Sequence, residues 1–496
     1  MGYEEFEKEV QTLTILNDIG SFLTWDQEVM MPEEGIKARS KQSSILSRLE
    51  HQKITGEQLE EKINSIKRSN LDEKQEAILR EVERERKRSK KVPEDLNEKI
   101  SKKSSEAVDV WKKAREENDF SLFKEELEEL VELKRKYAQH IEPDREPYKV
   151  LFEDFEPYLE FERAEKILEE LKDELSEFFE QIKASKVKIS DESLRENLSD
   201  DENMELARMT AETIGFDFDR GRLDTSTHPF TLGNQFDTRI TTRFKEDSVA
   251  ENIAITLHET GHALYNLGTP EEHYGTPLGE PRELVIHESQ SRLWENHVGR
   301  SEEFWKYFSG ELEEISDKFE EIPAEKYYRA VNKVRHDNLI RTEADEVSYH
   351  LHIILRFELE RKLINGEIEV EELPELWSEK MEELLGVRPD NDAEGVLQDI
   401  HWGWGSFGYF PTYSLGSVLA AQLYSKAEEE IDGLDRKIER GEFEPLLEWL
   451  REKIHKHGQL YTTEELIEKA TGEKLKADYF LEYVKEKYGE LYEVEE

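Results

Sequence analysis

The sequence predicts a mainly α-helical protein with a small β element, and three observations support this fold class. Only 14 of the 496 residues are Pro and 25 are Gly, so few residues would interrupt helices. Long stretches are rich in Glu, Lys, Leu and Arg, which favour helix. Residues 215–245 differ, because Phe, Leu and Ile are spaced there among Gly, Thr and Asp, a composition typical of strands and turns.

The predicted helices follow one another along most of the chain. Residues 1–50 are predicted to be helical with a break at 31–35. The charged residues 56–140 should form antiparallel helices with a turn at 92–95 and one side exposed to water. Apolar and polar residues alternate over 236–242, which predicts a short strand or hairpin. Further helices are expected at 161–185, 202–214, 249–268, 284–295, 302–320, 324–365, 370–386 and 416–455, with loops at 190–201 and 395–415.

The bulk composition excludes several classes of protein. A formal net charge of −48 argues against nucleic-acid binding, which needs basic patches. No apolar run of 18 residues predicts a membrane span, and the acidic N-terminus does not resemble a signal peptide. The absence of Cys excludes disulfides and thiolate metal sites. We therefore expect a cytoplasmic protein, whose acidic surface suits either concentrated salt or heat-stable ion-pair networks.

The run from His258 to His262 fits the zinc-peptidase pattern H-E-x-x-H. Residues four apart lie on one face of a helix, so the two imidazoles can bind one ion from the same side. Glu259 lies beside the first ligand, where it can act on a nucleophilic water. Ser248 and Glu251 form a predicted capping box, and Gly268 followed by Pro270 should end the helix.

A catalytic zinc site takes a third protein ligand and leaves a position open. By spacing, Glu283, Glu288 and Glu295 compete for this role, and each can equally be a solvated surface carboxylate in so acidic a chain. Zn²⁺ is the default ion for such N and O ligands, with Co²⁺ or Mn²⁺ as alternatives.

Short motifs recur in order along nearly the whole chain. They are Trp25-Asp26-Gln27-Glu28 with Met30-Met31-Pro32, His228-Pro229-Phe230, Asp237-Thr238-Arg239-Ile240-Thr241, the motif helix, His287-Glu288-Ser289-Gln290-Ser291, Ile340-Arg341-Thr342-Glu343-Ala344-Asp345 and Gly395-Val396-Leu397-Gln398-Asp399-Ile400-His401-Trp402. This ordered set resembles the carboxypeptidase Taq-type metallopeptidases. The resemblance implies that Glu288 is the third ligand. It also implies a helical, two-lobed homodimer with a deep groove for peptide substrates.

No internal repeat or low-complexity linker divides the chain. We therefore predict one metallocarboxypeptidase domain over 1–496. Within it, 1–215 would form a helical lobe, 216–420 the metal-site core and 421–496 the C-terminal helices.

Peptide hydrolysis at such a site needs a general base and donors for the oxyanion. Glu259 is the predicted base. His401, Tyr409 and Tyr413, all within the predicted aromatic loop, are candidate donors, although each can equally serve core packing.

A carboxypeptidase also needs a cation for the terminal carboxylate of the substrate, and Arg offers bidentate geometry. Arg239 and Arg341 are the candidates, and the predicted helix 324–365 favours Arg341 as the firmer platform. The competing interpretations are structural ion pairs, of Arg239 with Asp237 and of Arg341 with Asp345. His228 and Asp399 could orient ligands and receive no catalytic role.

The leading prediction is a metal-dependent carboxypeptidase that removes single amino acids from peptide C-termini. The alternative is a zinc oligopeptidase or endopeptidase with a similar helical groove. A catalytically inactive helical scaffold is a third possibility, against which Glu259 and the three candidate ligands argue.

Overall fold

α-Helices make up most of the polypeptide, as the sequence predicts. The structure, a computed structural model, describes residues 2–494. Its helices are α1 Gly2–Val29, α2 Ile36–Thr55, α3 Glu57–Ser65, α4 Glu73–Lys91, α5 Glu94–Glu117, α6 Ser121–Ile141, α7 Pro147–Phe155, α8 Phe161–Ala184, α9 Asp200–Thr213, α10 Val249–Gly268, α11 Leu284–Arg292, α12 Glu302–Ile315, α13 Ala324–Val331, α14 Tyr349–Asn365, α15 Leu373–Leu385, α16 Pro411–Glu430, α17 Leu434–Ile438, α18 Glu444–Lys453, α19 Thr463–Thr471 and α20 Asp478–Tyr492. No helix within these residues is both long and apolar enough to cross a membrane.

The predicted β element is a three-stranded sheet beside α10. Its strands are β1 Gly221–Thr225, β2 Thr231–Gly233 and β3 Thr238–Thr242. β3 lies in the middle, parallel to β1 and antiparallel to β2. Ile240 of β3 packs against Ala263 and Leu267 of α10, so the sheet covers one face of the motif helix.

Besides the cluster between the sheet and α10, two hydrophobic cores of unequal size hold the described helices together. The larger contains buried side chains between Val92 and Tyr492 in the sequence, among them residues of α10, α11, α14 and α16. The smaller joins α1, α3 and α4 through side chains such as Phe6 and Leu59. The proposed division at 215 and 420 stays a prediction.

The predicted helix 324–365 is wrong, because no α-helix lies between Val331 and Tyr349. The carboxylate of Asp345 accepts backbone N–H groups from Arg335, Val347 and Ser348, each at 3.0 Å. A side chain that satisfies backbone donors in this way competes with continuous helix, and α14 begins only at Tyr349. Arg341 consequently lies in a short 3₁₀ turn, Arg341–Glu343.

The predicted helix 416–455 is also wrong in its bounds. α16 begins at Pro411 and ends at Glu430, and two shorter helices follow. Gly433 and Gly441 separate them with φ angles of +68° and +74°, which glycine adopts without steric cost. Tyr413 therefore belongs to the first turn of α16 and not to the aromatic loop.

The remaining boundaries differ in detail. α10 begins at Val249 as expected, but the side chain of Ser248 makes no capping hydrogen bond, so the predicted capping box is wrong. α11 continues into a π-helix over Leu293–Val298. The sequence analysis did not predict α7, which is short and begins with a Pro at its first position.

Candidate metal and catalytic site

Three side chains from two neighbouring helices meet at one point. His258 and His262 project from α10 and Glu288 from α11, and one ligand atom of each lies within 4.8 Å of the others. Oε2 of Glu288 is 3.8 Å from Nε2 of His258 and 3.5 Å from Nε2 of His262. Ligands about 2.1 Å from a tetrahedral ion are about 3.4 Å apart, so these atoms can share one ion with little movement.

The outer nitrogen of each histidine is occupied. Nδ1 of His258 lies 2.8 Å from Oε2 of Glu295. Nδ1 of His262 lies 2.6 Å from Nδ1 of His287, whose Nε2 is 3.2 Å from Oδ1 of Asn266. The amide oxygen of Asn266 accepts a hydrogen bond from Nε2–H of His287, so the unprotonated Nδ1 of His287 accepts one from Nδ1–H of His262. Both motif histidines thus keep Nδ1 protonated and turn an Nε2 lone pair toward Glu288.

The three competing glutamates occupy different positions. Glu288 faces the Nε2 atoms of both motif histidines, whereas Glu295 lies on the Nδ1 side of His258. Glu283 pairs with Arg282 and accepts a hydrogen bond of 3.1 Å from Thr463. The π-helix that follows α11 carries Glu295, so this carboxylate can orient a ligand while Glu288 faces the centre.

Arg292 joins the two inner glutamates. Its Nε donates to Oε1 of Glu288 at 2.8 Å and its Nη1 to Oε2 of Glu295 at 3.1 Å. Burial raises the pKa of both carboxyls, but Arg292 and the histidines more than offset this and hold the pKa of Glu288 far below its usual range and that of Glu295 at about 2. Burial lowers the pKa of His258, and the two carboxylates reverse the effect, so its pKa is raised overall. Both carboxylates are therefore ionised at neutral pH, and Oε2 of Glu288 faces the two histidines as an anionic oxygen.

Two glycines allow the helices to approach closely. A Cβ at Gly261, inside the motif, would lie 2.6 Å from Cα of Ser291 on α11. A Cβ at Gly416 of α16 would lie 2.5 Å from Cγ of Glu288. Both distances are shorter than normal contacts, so only glycine fits without displacing a neighbour. The sequence analysis missed Gly416, and its place in an apolar helix gave no local signal.

The sheet holds the side chain of Glu259. Oγ1 of Thr231, on the edge strand β2, donates to Oε2 of Glu259 at 2.6 Å. Glu259 is buried beside the two motif histidines. The sequence analysis missed Thr231, because the two residues are 28 positions apart.

The structure contradicts the predicted pair of Arg341 with Asp345. Arg341 donates from Nε at 3.0 Å and from Nη2 at 2.7 Å to Oδ1 of Asp399. Its Nη1 donates to the hydroxyl of Tyr349 at 3.2 Å, and the same hydroxyl accepts from Nη2 of Arg292 at 3.0 Å. Arg341 is therefore linked to Glu288 through Tyr349 and Arg292. Three of its five N–H groups are used, which leaves one on each terminal nitrogen.

Arg239 forms the expected pair with Asp237, at 2.6 Å from Nη2 to Oδ2. Its guanidinium also lies over two rings of α1, 4.7 Å from the ring centre of Phe22 and 4.4 Å from that of Trp25. These contacts attach the N-terminal helix to β3.

Three candidate donors form an aromatic group near the metal ligands. Nε2 of His401 lies 3.2 Å from the hydroxyl of Tyr413, and the rings of Tyr409 and Tyr413 are 5.2 Å apart. Burial is the main cause of a pKa well above the usual range for both tyrosines, and Glu288 contributes to each. Burial lowers the pKa of His401 to about 3. At neutral pH all three are uncharged, so the tyrosines can donate hydrogen bonds.

Comparisons with known proteins agree over nearly the whole chain. Residues 5–488 match the family model described as carboxypeptidase Taq (M32) metallopeptidase. Thermostable carboxypeptidase 1 of Thermus thermophilus is 38% identical over 98% of each chain, and that of Pyrococcus furiosus is 40% identical over 94% of each. The M32 carboxypeptidase of Deinococcus radiodurans superposes with a TM-score of 0.95 at 34% identity, over 99% of this chain and 100% of the other. The helical fold with its small sheet is thus shared with solved carboxypeptidases.

Proposed function

The chain belongs to the carboxypeptidase Taq (M32) metallopeptidase family, and from this premise we propose how its residues carry out metal-dependent removal of single amino acids from peptide C-termini. The carboxypeptidase function is favoured over the oligopeptidase alternative, because the relatives are named carboxypeptidases over nearly their full length. The observation that carries the proposal is the convergence of His258, His262 and Glu288.

The donor set fits Zn²⁺, with Co²⁺ or Mn²⁺ as alternatives. Two neutral imidazole nitrogens and one ionised carboxylate oxygen face a common point, and their outer atoms are occupied by Glu295, His287 and Arg292. A divalent ion bound there supplies Lewis acidity, which polarises the scissile carbonyl and makes a water nucleophilic near neutral pH.

Glu259 is the general base of this proposal. It accepts the proton of the attacking water and passes it to the leaving amine. The hydrogen bond from Thr231 holds Oε2, so the carboxylate keeps one orientation while Oε1 stays available for the proton.

Tyr409 and Tyr413 are proposed as hydrogen-bond donors to the oxyanion that forms during attack. Their raised pKa values keep the hydroxyls protonated, and both lie close enough to Glu288 for its charge to affect them. His401 positions Tyr413 through its 3.2 Å contact.

We propose that Arg341 binds the terminal carboxylate, with Arg239 as the second candidate. The long helix expected beneath Arg341 is absent. Arg341 is supported instead by its connection through Tyr349 and Arg292 to Glu288, together with one remaining N–H on each terminal nitrogen. The side chain of Arg239 is more accessible, 23% exposed against 9% for Arg341.

The test compares peptides that end in a free acid with the same peptides ending in an amide. Mass spectrometry of the metal-loaded enzyme should show a one-residue ladder from the acid and little cleavage of the amide. An Arg–carboxylate contact contributes about 1.5–3 kcal/mol, so the difference should be at least about tenfold. Arg341→Ala should erase most of it with the metal still bound, and Arg239→Ala is the matched variant. Equal cleavage of acid and amide, or internal fragments, would favour the oligopeptidase alternative.

We also propose that the protein is a homodimer. Ile15 and Ile19 on α1 and Ile45 and Leu49 on α2 are between 40% and 50% exposed and lie one turn apart on two packed helices. A contiguous apolar patch on an otherwise acidic surface marks an interaction site, and a second copy of the chain would bury it away from water. Light scattering should give twice the monomer mass, and Ile19→Lys with Ile45→Lys should give the monomer.

A further inference from the structure

A buried carboxylate lies behind the aromatic group of the site. Glu360, on α14, is fully buried. Its Oε1 accepts hydrogen bonds from the hydroxyl of Tyr148 at 2.8 Å and from the backbone N–H of Gly408 at 2.7 Å. Its Oε2 accepts from Nε1 of Trp402 at 2.9 Å. Burial raises the pKa of Glu360 to about 7, so the protein bears a free-energy cost to place this group here.

Two of the three donors belong to the loop between α15 and α16. Trp402 directly follows His401, and Gly408 directly precedes Tyr409. Glu360 therefore binds the chain immediately beside both of the loop's candidate substrate-binding residues. One turn earlier on α14, Nε of Arg356 donates to Oδ2 of Asp399 at 2.6 Å, which attaches the start of the same segment.

The loop has little freedom at Gly408. Its φ angle of +97° is one that glycine adopts readily, and a Cβ there would lie 2.7 Å from the backbone nitrogen of Phe152 on α7. The loop backbone is thus pressed against α7, and its N–H points at Glu360. A buried N–H that loses its acceptor costs free energy, so this contact fixes the backbone position from which Tyr409 follows.

We propose that Glu360 is a positioning residue for the peptidase reaction, which places His401 and Tyr409 by binding Trp402 and Gly408. The inference rests on the proposed function, because it assigns a role to the loop that bears the proposed donors.

Glu360→Gln tests the inference, because it keeps the shape of the side chain and replaces one acceptor oxygen by an NH₂ group. In either orientation of the amide, one loop N–H faces a donor, that of Trp402 or that of Gly408. Tyr148 tolerates the exchange, because its hydroxyl can accept as well as donate. The matched control is Tyr148→Phe, which removes the one donor outside the loop and leaves both loop contacts in place.

At pH 8, where the carboxyl of Glu360 is mostly ionised, we expect Glu360→Gln to keep one metal ion per chain and a KM within about threefold of wild type, while kcat falls at least about tenfold. Tyr148→Phe should keep the wild-type kcat. Trp402→Phe, which removes a single loop contact, should lower kcat in the same direction and serves if Glu360→Gln does not fold.

A Glu360→Gln or Trp402→Phe enzyme with wild-type kcat, or an equal fall in Tyr148→Phe, would overturn the inference alone. A wild-type enzyme that leaves peptide C-termini intact would overturn the proposed function, and the inference with it.

Discussion

At the scale of single residues, each candidate ligand is oriented by a partner that sequence spacing does not reveal. Glu295 holds His258, His287 holds His262 and Arg292 holds Glu288. Such partners fix the tautomer and rotamer of the ligand side chains, so the entropic cost of ordering the site is met on folding and does not reduce the affinity for the ion.

Removal of a proposed ligand should affect metal content more than removal of its partner. Glu288→Ala should lose the ion on dialysis, because two histidines alone bind weakly. Glu295→Ala should retain it with affinity lowered about 10- to 100-fold, the range usual for orienting partners. Metal analysis after dialysis against graded chelator checks this. Retention by Glu288→Ala with loss by Glu295→Ala would exchange the two roles.

Loss of the proposed base should abolish turnover without loss of the ion. Glu259→Gln should lower kcat by about 10²–10⁴-fold or more, since Gln cannot accept the proton of water. Thr231→Val keeps the carboxylate and removes its hydrogen bond, so it should cost less, about tenfold. Steady-state rates with metal analysis measure both. A near wild-type rate for Glu259→Gln would remove Glu259 from the mechanism.

The pKa of Glu360 predicts how stability changes with pH. Its folded value of about 7 lies above the usual 4.5 of the unfolded chain, so its contribution is fully present below pH 4.5 and is lost as pH rises through 7. The loss approaches about 3 kcal/mol. Urea unfolding of wild type and Glu360→Gln at pH 5 and pH 8 checks this, because the variant does not titrate there. The wild type should lose stability relative to the variant on going to pH 8, and a constant difference would contradict the prediction.

At the scale of elements, the success of the sequence analysis follows the range of the interactions involved. α10 was predicted with its correct bounds, because its apolar period and its terminal Gly268 are local signals. The prediction of one helix over 324–365 was wrong, because the hydrogen bonds of Asp345 with the backbone and of Arg341 with Asp399 replace a helix that local propensity favours. The predicted start of α16 was wrong because a proline such as Pro411 can either begin a helix or lie in a loop, and the local sequence does not distinguish the two.

The contact between α11 and α16 yields a prediction at this scale. Gly416→Ala should push Glu288 away from the two histidines, because the added Cβ would lie 2.5 Å from its Cγ. We expect weaker metal binding and about 1–3 kcal/mol less stability. Gly310→Ala on α12 is the control, since its Cβ would meet no atom within 4 Å. That variant should gain up to about 1 kcal/mol and keep normal metal affinity. Unchanged metal affinity in Gly416→Ala would show that α11 and α16 separate easily.

At the scale of the whole molecule, the main feature is the excess of negative charge. With a net charge of −48, the acidic side chains repel one another at low ionic strength, and ion pairs between helices oppose this repulsion. Lys103 of α5, for example, lies 2.8 Å from Glu126 and 2.5 Å from Glu129 of α6. Such ion pairs agree with adaptation to salt and with adaptation to heat. The cytoplasmic location stays a prediction.

Salt dependence separates the two adaptations. The melting temperature and activity should rise with KCl concentration, because charges are screened within about 3 Å at ~1 M. Scanning calorimetry from low to molar KCl measures the first and a peptide assay the second. A melting temperature that stays constant or falls as KCl is added would instead favour ion-pair networks suited to heat.

The sequence by itself determined the helical fold class, the i, i+4 histidine pair with Glu259, and the family resemblance. Each rests on spacing along the chain, which helix geometry converts directly into a shared face. Only the tertiary structure decided which of Glu283, Glu288 and Glu295 faces the histidine Nε2 atoms. It alone also showed that Thr231 holds Glu259, that Asp399 and not Asp345 pairs with Arg341, and that Gly416 admits Glu288. These contacts join residues between 26 and 128 positions apart, and such distances are set by how helices pack and not by any local propensity.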